Sequence, residues 1–165
     1  MHASRLFSTF ALLAACCLAP ARAADDAHAA DRAAIQQVVQ QFQDAIKAHD
    51  GKKLGSLFLQ DHDSWISVLD DRTWKAAKAR FPDAEKYRRS SWKRFAAMIQ
   101  DDKGGPVEER FYNVRIETNG TVGSVYFDFD FLDDGKVTNR GAESWQMVHA
   151  EDGWKISSML FSIDR

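Results

Sequence analysis

Cysteine is nearly absent from this 165-residue sequence, and its two cysteines, Cys16 and Cys17, lie close to the N-terminus. The rest of the chain therefore has no disulfide, thiolate nucleophile or cysteine-ligated metal. The sequence also lacks a Ser-His-Asp pattern and a glycine-rich phosphate loop. Lys and Arg total 22 against 24 Asp and Glu, a formal charge of −2, so no basic excess points to nucleic acid. We expect no metal, no cofactor and no nucleic-acid partner.

The first 23 residues have the three parts of an export signal. A short basic start ends at Arg5, an apolar run over residues 6–18 is too short to span a bilayer comfortably, and Ala21-Arg22-Ala23 supplies a small-x-small cleavage site. We therefore expect a signal peptide over residues 1–23, cleavage near Ala23 and a periplasmic or secreted protein.

The same segment has a competing interpretation. Leu13-Ala14-Ala15-Cys16 is similar to a bacterial lipobox, and a lipid on Cys16 would anchor the protein to a membrane. Under both interpretations residues 24–165 are long enough to bury one core, and no linker or repeat divides them. A single domain is expected.

Three segments have the apolar spacing of helices. Apolar residues recur every three or four positions over about residues 31–49, which predicts a long helix with one buried face. Asp50 can cap a second, short helix that ends near Leu57-Phe58. Residues 65–69 have the pattern of a short strand, and residues 83–100 carry a looser helical stripe.

Four long strands are expected over residues 108–163. Asn119-Gly120, Asp134-Gly135 and Asp152-Gly153 are Asx-Gly pairs, which suit two-residue hairpin loops because the central positions need positive φ. The segments between these pairs are rich in aromatic and β-branched residues. Together they predict an antiparallel meander.

The order of these elements resembles the nuclear transport factor 2-like superfamily, which includes ketosteroid isomerases, SnoaL-type polyketide cyclases and many small exported proteins. The resemblance lies in an opening helix pair, AIQQVVQQFQDAIKAHDGKKLGSLF, and a closing hairpin, GAESWQMVHAEDGWKISSMLFSI. It implies an α+β cone, in which a strongly bent antiparallel sheet of four long strands plus a short one wraps around the long N-terminal helix, with two further helices. It also implies a cavity open at one end and often a dimer through the outer sheet face.

The sequence departs from the ketosteroid isomerases at the positions of their chemistry. The strand after the helix pair ends in Asp70 and Asp71, just beyond where the resemblance would put a carboxylate base. Trp145 falls near the position of the acid in the oxyanion hole, and an indole cannot replace a carboxylic acid there. The resemblance therefore implies the fold rather than isomerase activity.

If every Asx-Gly pair is a two-residue loop, the strand partners are fixed. Tyr126 then lies opposite Asn113 and Glu143, and Trp145 lies in the next row with Arg115. This face mixes aromatic, amide and charged side chains, as a ligand cavity does. The predicted ligand-binding residues are Asn113, Arg115, Tyr126, Trp145 and Met147, with Trp65 from the short strand.

Three residues of the same face are candidates for acid-base chemistry. Glu143 would be partly desolvated by Tyr126 and Trp145, which would raise its pKa as a general base requires. Asp128 is a second candidate base, and Tyr126 is a candidate hydrogen-bond donor. The alternatives are an ion pair of Glu143 with Arg115 and a solvated strand face around Asp128.

The opposite face of the meander is rich in phenylalanine, including Phe127, Phe129 and Phe161. An apolar face must be covered, and we expect a homodimer through it. Gly141 leaves a different register open, because glycine inside a strand often marks a β-bulge. One extra residue there would turn the Phe side chains inward and Asp128 and Asp130 toward water.

Three functions are compatible with these features. The first is a non-catalytic pocket protein that binds a small, partly apolar molecule after export. The second is an acid-base isomerase, cyclase or hydratase that uses Glu143 or Asp128. The third is a protein-interaction module that acts through the Phe-rich face.

Overall fold

The computed structural model describes residues 27–101 and 104–165, so the predicted signal peptide and the lipidation of Cys16 lie outside the described residues. Four helices and six strands follow one another within these described residues. In order they are α1 (Ala29–Lys47), α2 (Gly51–Ser56), β1 (Ser64–Leu69), α3 (Asp71–Arg80), β2 (Tyr87–Ser90), α4 (Trp92–Asp101), β3 (Val107–Thr118), β4 (Val122–Asp133), β5 (Lys136–Ala150) and β6 (Gly153–Ile163).

The six strands form one curled, unclosed sheet in the order β2-β1-β6-β5-β4-β3. The meander β3 to β6 is antiparallel throughout, whereas β1 runs parallel to β6. The predicted α+β cone with a bent sheet around the N-terminal helix is confirmed, with one more strand and one more helix than expected. None of the helices in the described ranges has the length and apolarity needed to cross a membrane.

The long helix α1 fills the concave side of the sheet. Its buried side chains are those that the 3.6-residue period selects, namely Ile35, Val38, Val39, Phe42, Ala45 and Ile46. Phe42 lies at the centre, with its ring centroid 4.9 Å from that of Trp145 on β5. The helix ends before His49, which takes a positive φ of 53°. Asp50 then caps α2 by accepting a hydrogen bond from the Lys53 N–H at 2.8 Å, as predicted.

The segment between β1 and β3 differs from the helix expected over residues 83–100. Asp70 accepts hydrogen bonds from the N–H groups of Arg72 and Thr73 and so begins α3. Residues 87–90 then pair with β1 as the edge strand β2. The last helix begins only after Ser91, whose hydroxyl accepts from the Arg94 N–H at 3.0 Å. Pairing with β1 outweighs helical spacing in the first half of this stretch.

Three irregularities set the register of the meander. Partners change between Tyr112 and Arg115 on β3, where Asn113 has a φ of 54°. Thr138 is an extra residue on β5, and Ser157 is an extra residue on β6. Each extra residue reverses the sheet face on which the following side chains lie.

The predicted register holds only next to Asp134-Gly135, where Asp133 pairs with Lys136, because the centres of the other two hairpin loops each lie one residue from the predicted position. Tyr126 pairs with Arg115 and Ser144, and Glu143 pairs with Phe127 and Phe161. The Phe side chains instead point inward, as in the alternative register. The bulge that produces this register lies at Thr138 and not at Gly141.

Glycine at position 141 is required for a different reason than a bulge. A Cβ atom at this position would lie 2.1 Å from the backbone oxygen of Ser162 on β6. In place of a regular ladder, the Ser162 hydroxyl accepts a hydrogen bond from the Ala142 N–H at 2.9 Å. Only glycine allows the two strands this close approach.

Candidate functional site

A cavity of about 660 Å³ opens between the concave side of the sheet and helices α1 and α4. Its size falls in the range usual for small-molecule sites. Its wall is largely aromatic and comes from both the sheet and the helices. The apolar residues that line it include Phe42, Trp65, Phe95, Phe129, Phe131 and Phe161.

Two carboxyl groups lie in this cavity. Glu109 is 6% exposed and Glu143 is 4% exposed. Within residues 27–101 and 104–165, no other acidic or basic residue is buried. Both line the same cavity. Burial of a carboxyl group is unfavourable, so two such groups at one site are better explained by a role in the cavity than by stability.

The strands and α1 hold these carboxyl groups in place. Glu143 lies on β5 between Phe127 of β4 and Phe161 of β6, and its Oε1 accepts a hydrogen bond of 2.6 Å from the indole Nε1 of Trp145. Glu109 lies on β3, and its backbone oxygen accepts from the Gln43 side chain at 2.9 Å, which ties that strand to α1.

The surroundings shift both pKa values upward. Burial raises the pKa of Glu143 to about 8, against the smaller lowering effect of the Trp145 hydrogen bond. Burial, and then the negative charge of Glu143, raise the pKa of Glu109 well above its usual range. Both groups therefore favour their protonated forms. At neutral pH the pair carries little charge and one member is ready to change its protonation state.

The mouth of the cavity has the opposite character. Arg88 and Arg89 of β2, Arg94 of α4 and Arg165 line it, and all four are exposed. Among the described residues, no carboxylate forms an ion pair with Arg88, Arg89 or Arg94. The cavity thus has protonated acids inside and free guanidinium groups at its edge.

The residues expected to share one inward face are divided between two faces. Glu143 and Trp65 line the cavity, Trp145 holds the Glu143 carboxyl, and Met147 is buried in the core. The other four, Asn113, Arg115, Tyr126 and Asp128, lie on the outer face, so their predicted inward placement is wrong.

Contacts on the outer face confirm this separation. The Asn113 amide donates to Asp128 at 2.7 Å, and the Arg115 guanidinium lies over the Tyr126 ring at 4.7 Å. Tyr126 is 41% exposed. These residues interact with one another and not with the two buried carboxyl groups, so they are not positioned to assist Glu143.

The prediction that an exposed sheet face carries Phe127, Phe129 and Phe161 is also wrong. Phe127 and Phe129 are buried in the core, and Phe161 is partly buried against it. The three rings therefore cannot form the expected dimer contact in this fold. A homodimer through the outer face stays a prediction.

Glu109 is the main site residue that the sequence reasoning missed. A signal was present, because Val107, Glu109 and Phe111 alternate with charged or polar neighbours and so share one strand face. A glutamate between two inward apolar residues is a candidate buried acid. Arg88 was missed because β2 was not expected, whereas Arg94 was missed although it lies in the stretch predicted to be helical.

Other depressions of the surface lack this chemistry. One of about 640 Å³ lies beside α2 and α4, and charged residues such as Lys52, Asp61 and Lys155 line it, but none of its charged residues is buried. Within the described ranges, no group of three or more His, Cys, Asp or Glu residues is placed to hold a metal ion.

Comparison with known proteins supports the fold only through solved structures. No protein-family model and no curated sequence matches this chain. An NTF2-like protein with a cystatin-like fold from Novosphingobium aromaticivorans superposes with a TM-score of 0.61 at 12% identity, over 86% of this chain and 87% of that chain. A protein described as a candidate scytalone dehydratase from the same organism gives 0.62 at 12% identity, over 86% and 89%.

A third similar structure is a function unknown protein from Mycobacterium tuberculosis, with a TM-score of 0.64, 14% identity, and coverage of 88% of this chain and 79% of that chain. These similarities define the class: an α+β protein whose curled sheet encloses a cavity. More particularly, the chain has the nuclear transport factor 2-like fold, which confirms the resemblance seen in the sequence. At such identities the likeness concerns the fold and not the function.

Proposed function

We propose that the domain binds a small, partly apolar molecule in the cavity that holds Glu109 and Glu143. The observation that carries this proposal is that the only two buried charged residues of the described chain share one aromatic-lined cavity. A protonated carboxyl can both donate and accept a hydrogen bond. The pair would thus recognise a hydroxyl, carbonyl or amino group, and the rings would hold the apolar body.

A second candidate function is acid-base catalysis at the same site. It is favoured by two carboxyls in one cavity whose pKa values burial raises, that of Glu143 to about 8 and that of Glu109 well above its usual range. In such a pair Glu143 would take a proton from a bound substrate and Glu109 would donate one, as dehydration or isomerisation requires. The name of one similar structure, a candidate scytalone dehydratase, fits that class of reaction.

Binding can be tested with the fluorescent, uncharged probe N-phenyl-1-naphthylamine. Ser67 of β1 lines the cavity, and Ser67→Phe would fill part of it without removing a core side chain. Ser144 pairs with the exposed Tyr126 on the outer face, so Ser144→Phe is the matched control. We expect saturable binding that Ser67→Phe weakens at least tenfold and Ser144→Phe does not. Equal loss in both variants, or no saturable binding by the wild type, would contradict the proposal.

Catalysis has a separate test that needs no natural substrate. A bound ketone such as 2-tetralone should exchange its acidic α-protons with D2O faster than in buffer, as followed by NMR. Glu143→Gln should remove this acceleration and keep the affinity, because the amide fills the same space but cannot accept a proton. Exchange at the buffer rate with the ketone bound would leave binding as the function of the cavity.

Export is the remaining part of the proposal. If residues 1–23 act as a signal peptide, the protein recovered from the periplasmic fraction should begin near Ala24, as mass spectrometry of its N-terminal peptide would show. A lipid-modified N-terminal peptide that begins at Cys16 would favour the lipoprotein alternative.

A further inference from the structure

Two arginines are placed to meet a ligand as it enters the cavity. Arg88 pairs in register with Ser67, so its side chain lies on the same sheet face as Ser67, which lines the cavity. Arg94 lies on α4, one turn before Met98, and both residues line the mouth. The two guanidinium groups therefore come from different elements to one opening.

These arginines have no neutralising partner in the described part of the chain. The ion pairs of this region join Lys86 to Asp71 and Arg72 to Asp164, and neither involves Arg88 or Arg94. The surrounding segment is also strongly basic, because residues 71–94 contain nine Lys or Arg and three Asp or Glu, although the whole chain has a formal charge of −2. A positive potential at the mouth would attract anions.

The inside of the cavity does not repel an anion at neutral pH. Burial favours the protonated forms of Glu109 and Glu143, so the floor is close to neutral. A basic surface alone would suit any polyanion, such as nucleic acid or an anionic membrane. Here the free cations border an aromatic cavity of about 660 Å³, which suits a molecule with one charged end and an apolar body.

We propose that the ligand of the cavity is an organic carboxylate with an aromatic or alicyclic body, and that Arg88 and Arg94 bind its carboxylate at the mouth. This inference rests on the proposed binding function and adds the class of ligand. The rings of Phe95, Phe129 and Phe161 contact the apolar body. A polar group at the far end meets the carboxyl pair.

The test compares two probes of the same shape, 2-naphthoate and the uncharged 2-naphthamide, by isothermal titration calorimetry at pH 7 and low salt. We expect the wild type to bind the carboxylate about tenfold more tightly, the effect of one charge-assisted hydrogen bond at a partly exposed site. Arg88→Gln with Arg94→Gln should remove the preference and leave amide binding unchanged. The control variant, Arg115→Gln with Lys136→Gln, removes the same amount of charge outside the cavity and should keep the preference for the carboxylate.

The outcomes separate this inference from the function on which it rests. Equal affinities of the wild type for both probes would overturn the carboxylate specificity and leave binding intact. A preference that survives in the Arg88 and Arg94 double variant, or that is lost equally in the control, would overturn the assignment to these two arginines. No binding of either probe would overturn the proposed function together with the inference.

Discussion

Replacement of Glu143 by glutamine should stabilise the protein in a manner that depends on pH. In the folded chain this carboxyl has a pKa raised by burial to about 8, whereas its usual value is 4.5. Glutamine has nearly the same shape, can accept the Trp145 hydrogen bond through its amide oxygen, and does not ionise. The substitution therefore removes the proton equilibrium of Glu143 and, with it, the negative charge that raises the pKa of Glu109.

The sign follows from proton binding in the two states. Between pH 4.5 and 8 the folded state holds the proton of Glu143 and the unfolded state has lost it, so the stability of the wild type falls as pH rises. Each pH unit in that window lowers the free energy of unfolding of the wild type by about 1.36 kcal/mol. Relative to pH 4, the glutamine variant should therefore gain about 3 kcal/mol in stability over the wild type at pH 7 and about 5 kcal/mol at pH 9. Below pH 4.5 the two proteins should differ little.

Urea unfolding of both proteins at pH 4, 7 and 9 measures this difference. Glu108→Gln is the matched control, because Glu108 is the neighbour of Glu109 on β3 but is partly exposed and paired with Arg110 at 3.0 Å. That control should show no gain in stability at pH 7. An advantage of Glu143→Gln that is the same at all three pH values, or absent at pH 9, would refute the raised pKa and with it the neutral floor of the cavity.

Four further predictions concern the stability of the fold and the carboxyl groups of the cavity. Gly141→Ala places a Cβ against the Ser162 oxygen and should cost about 3 kcal/mol in the urea assay, so unchanged stability would contradict the close approach of the two strands. Ser91→Ala removes the cap of α4 and should cost about 1 kcal/mol, which a shift in thermal midpoint checks. Trp145→Phe removes the donor to Glu143 and should raise that pKa further, as a carboxyl ¹³C titration would show; a lowered value would contradict the role of the hydrogen bond. The affinity for 2-naphthoate should fall as pH rises through about 8 while that for 2-naphthamide stays level, and parallel curves would argue against a carboxyl near the ligand.

The elements of the meander could be predicted because their signals are local. Asp134 and Gly135 have the positive φ values of 48° and 72° that a two-residue loop needs, and their neighbours Asp133 and Lys136 pair as expected. The Asn119 side chain instead accepts hydrogen bonds from the N–H groups of Thr121 and Val122. The centre of this loop therefore lies one residue further along the chain than predicted. Hairpins tolerate such shifts, so the strands were still found.

The face of each strand could not be predicted, because it depends on single residues with weak signals. The bulges fall at Asn113, Thr138 and Ser157, and only the asparagine has a composition cue, its tolerance of positive φ. Gly141 carried the strongest cue for a bulge, yet it serves a close contact with β6. One unrecognised extra residue moves a whole strand from one face to the other.

The candidate site was therefore predicted in part. Glu143 was expected to be desolvated by Tyr126 and Trp145, and it is desolvated, but by Phe127, Phe161 and the core around Trp145. Glu109 and the arginines of the mouth depend on contacts between distant segments that no local pattern reveals. The same register error that turned Tyr126 inward turned the phenylalanines outward.

The central claim is that a ligand binds inside the cone and not on its outer face, and intermolecular nuclear Overhauser effects to bound 2-naphthamide test it most directly. Met98 lines the cavity mouth and is 52% exposed, whereas Leu160 lies on the outer face beside Ser144 and is 51% exposed, so both have observable methyl groups. The fold and the site predict contacts from the naphthalene protons to the Met98 methyl and none to Leu160. Contacts to Leu160 without contacts to Met98 would contradict the account.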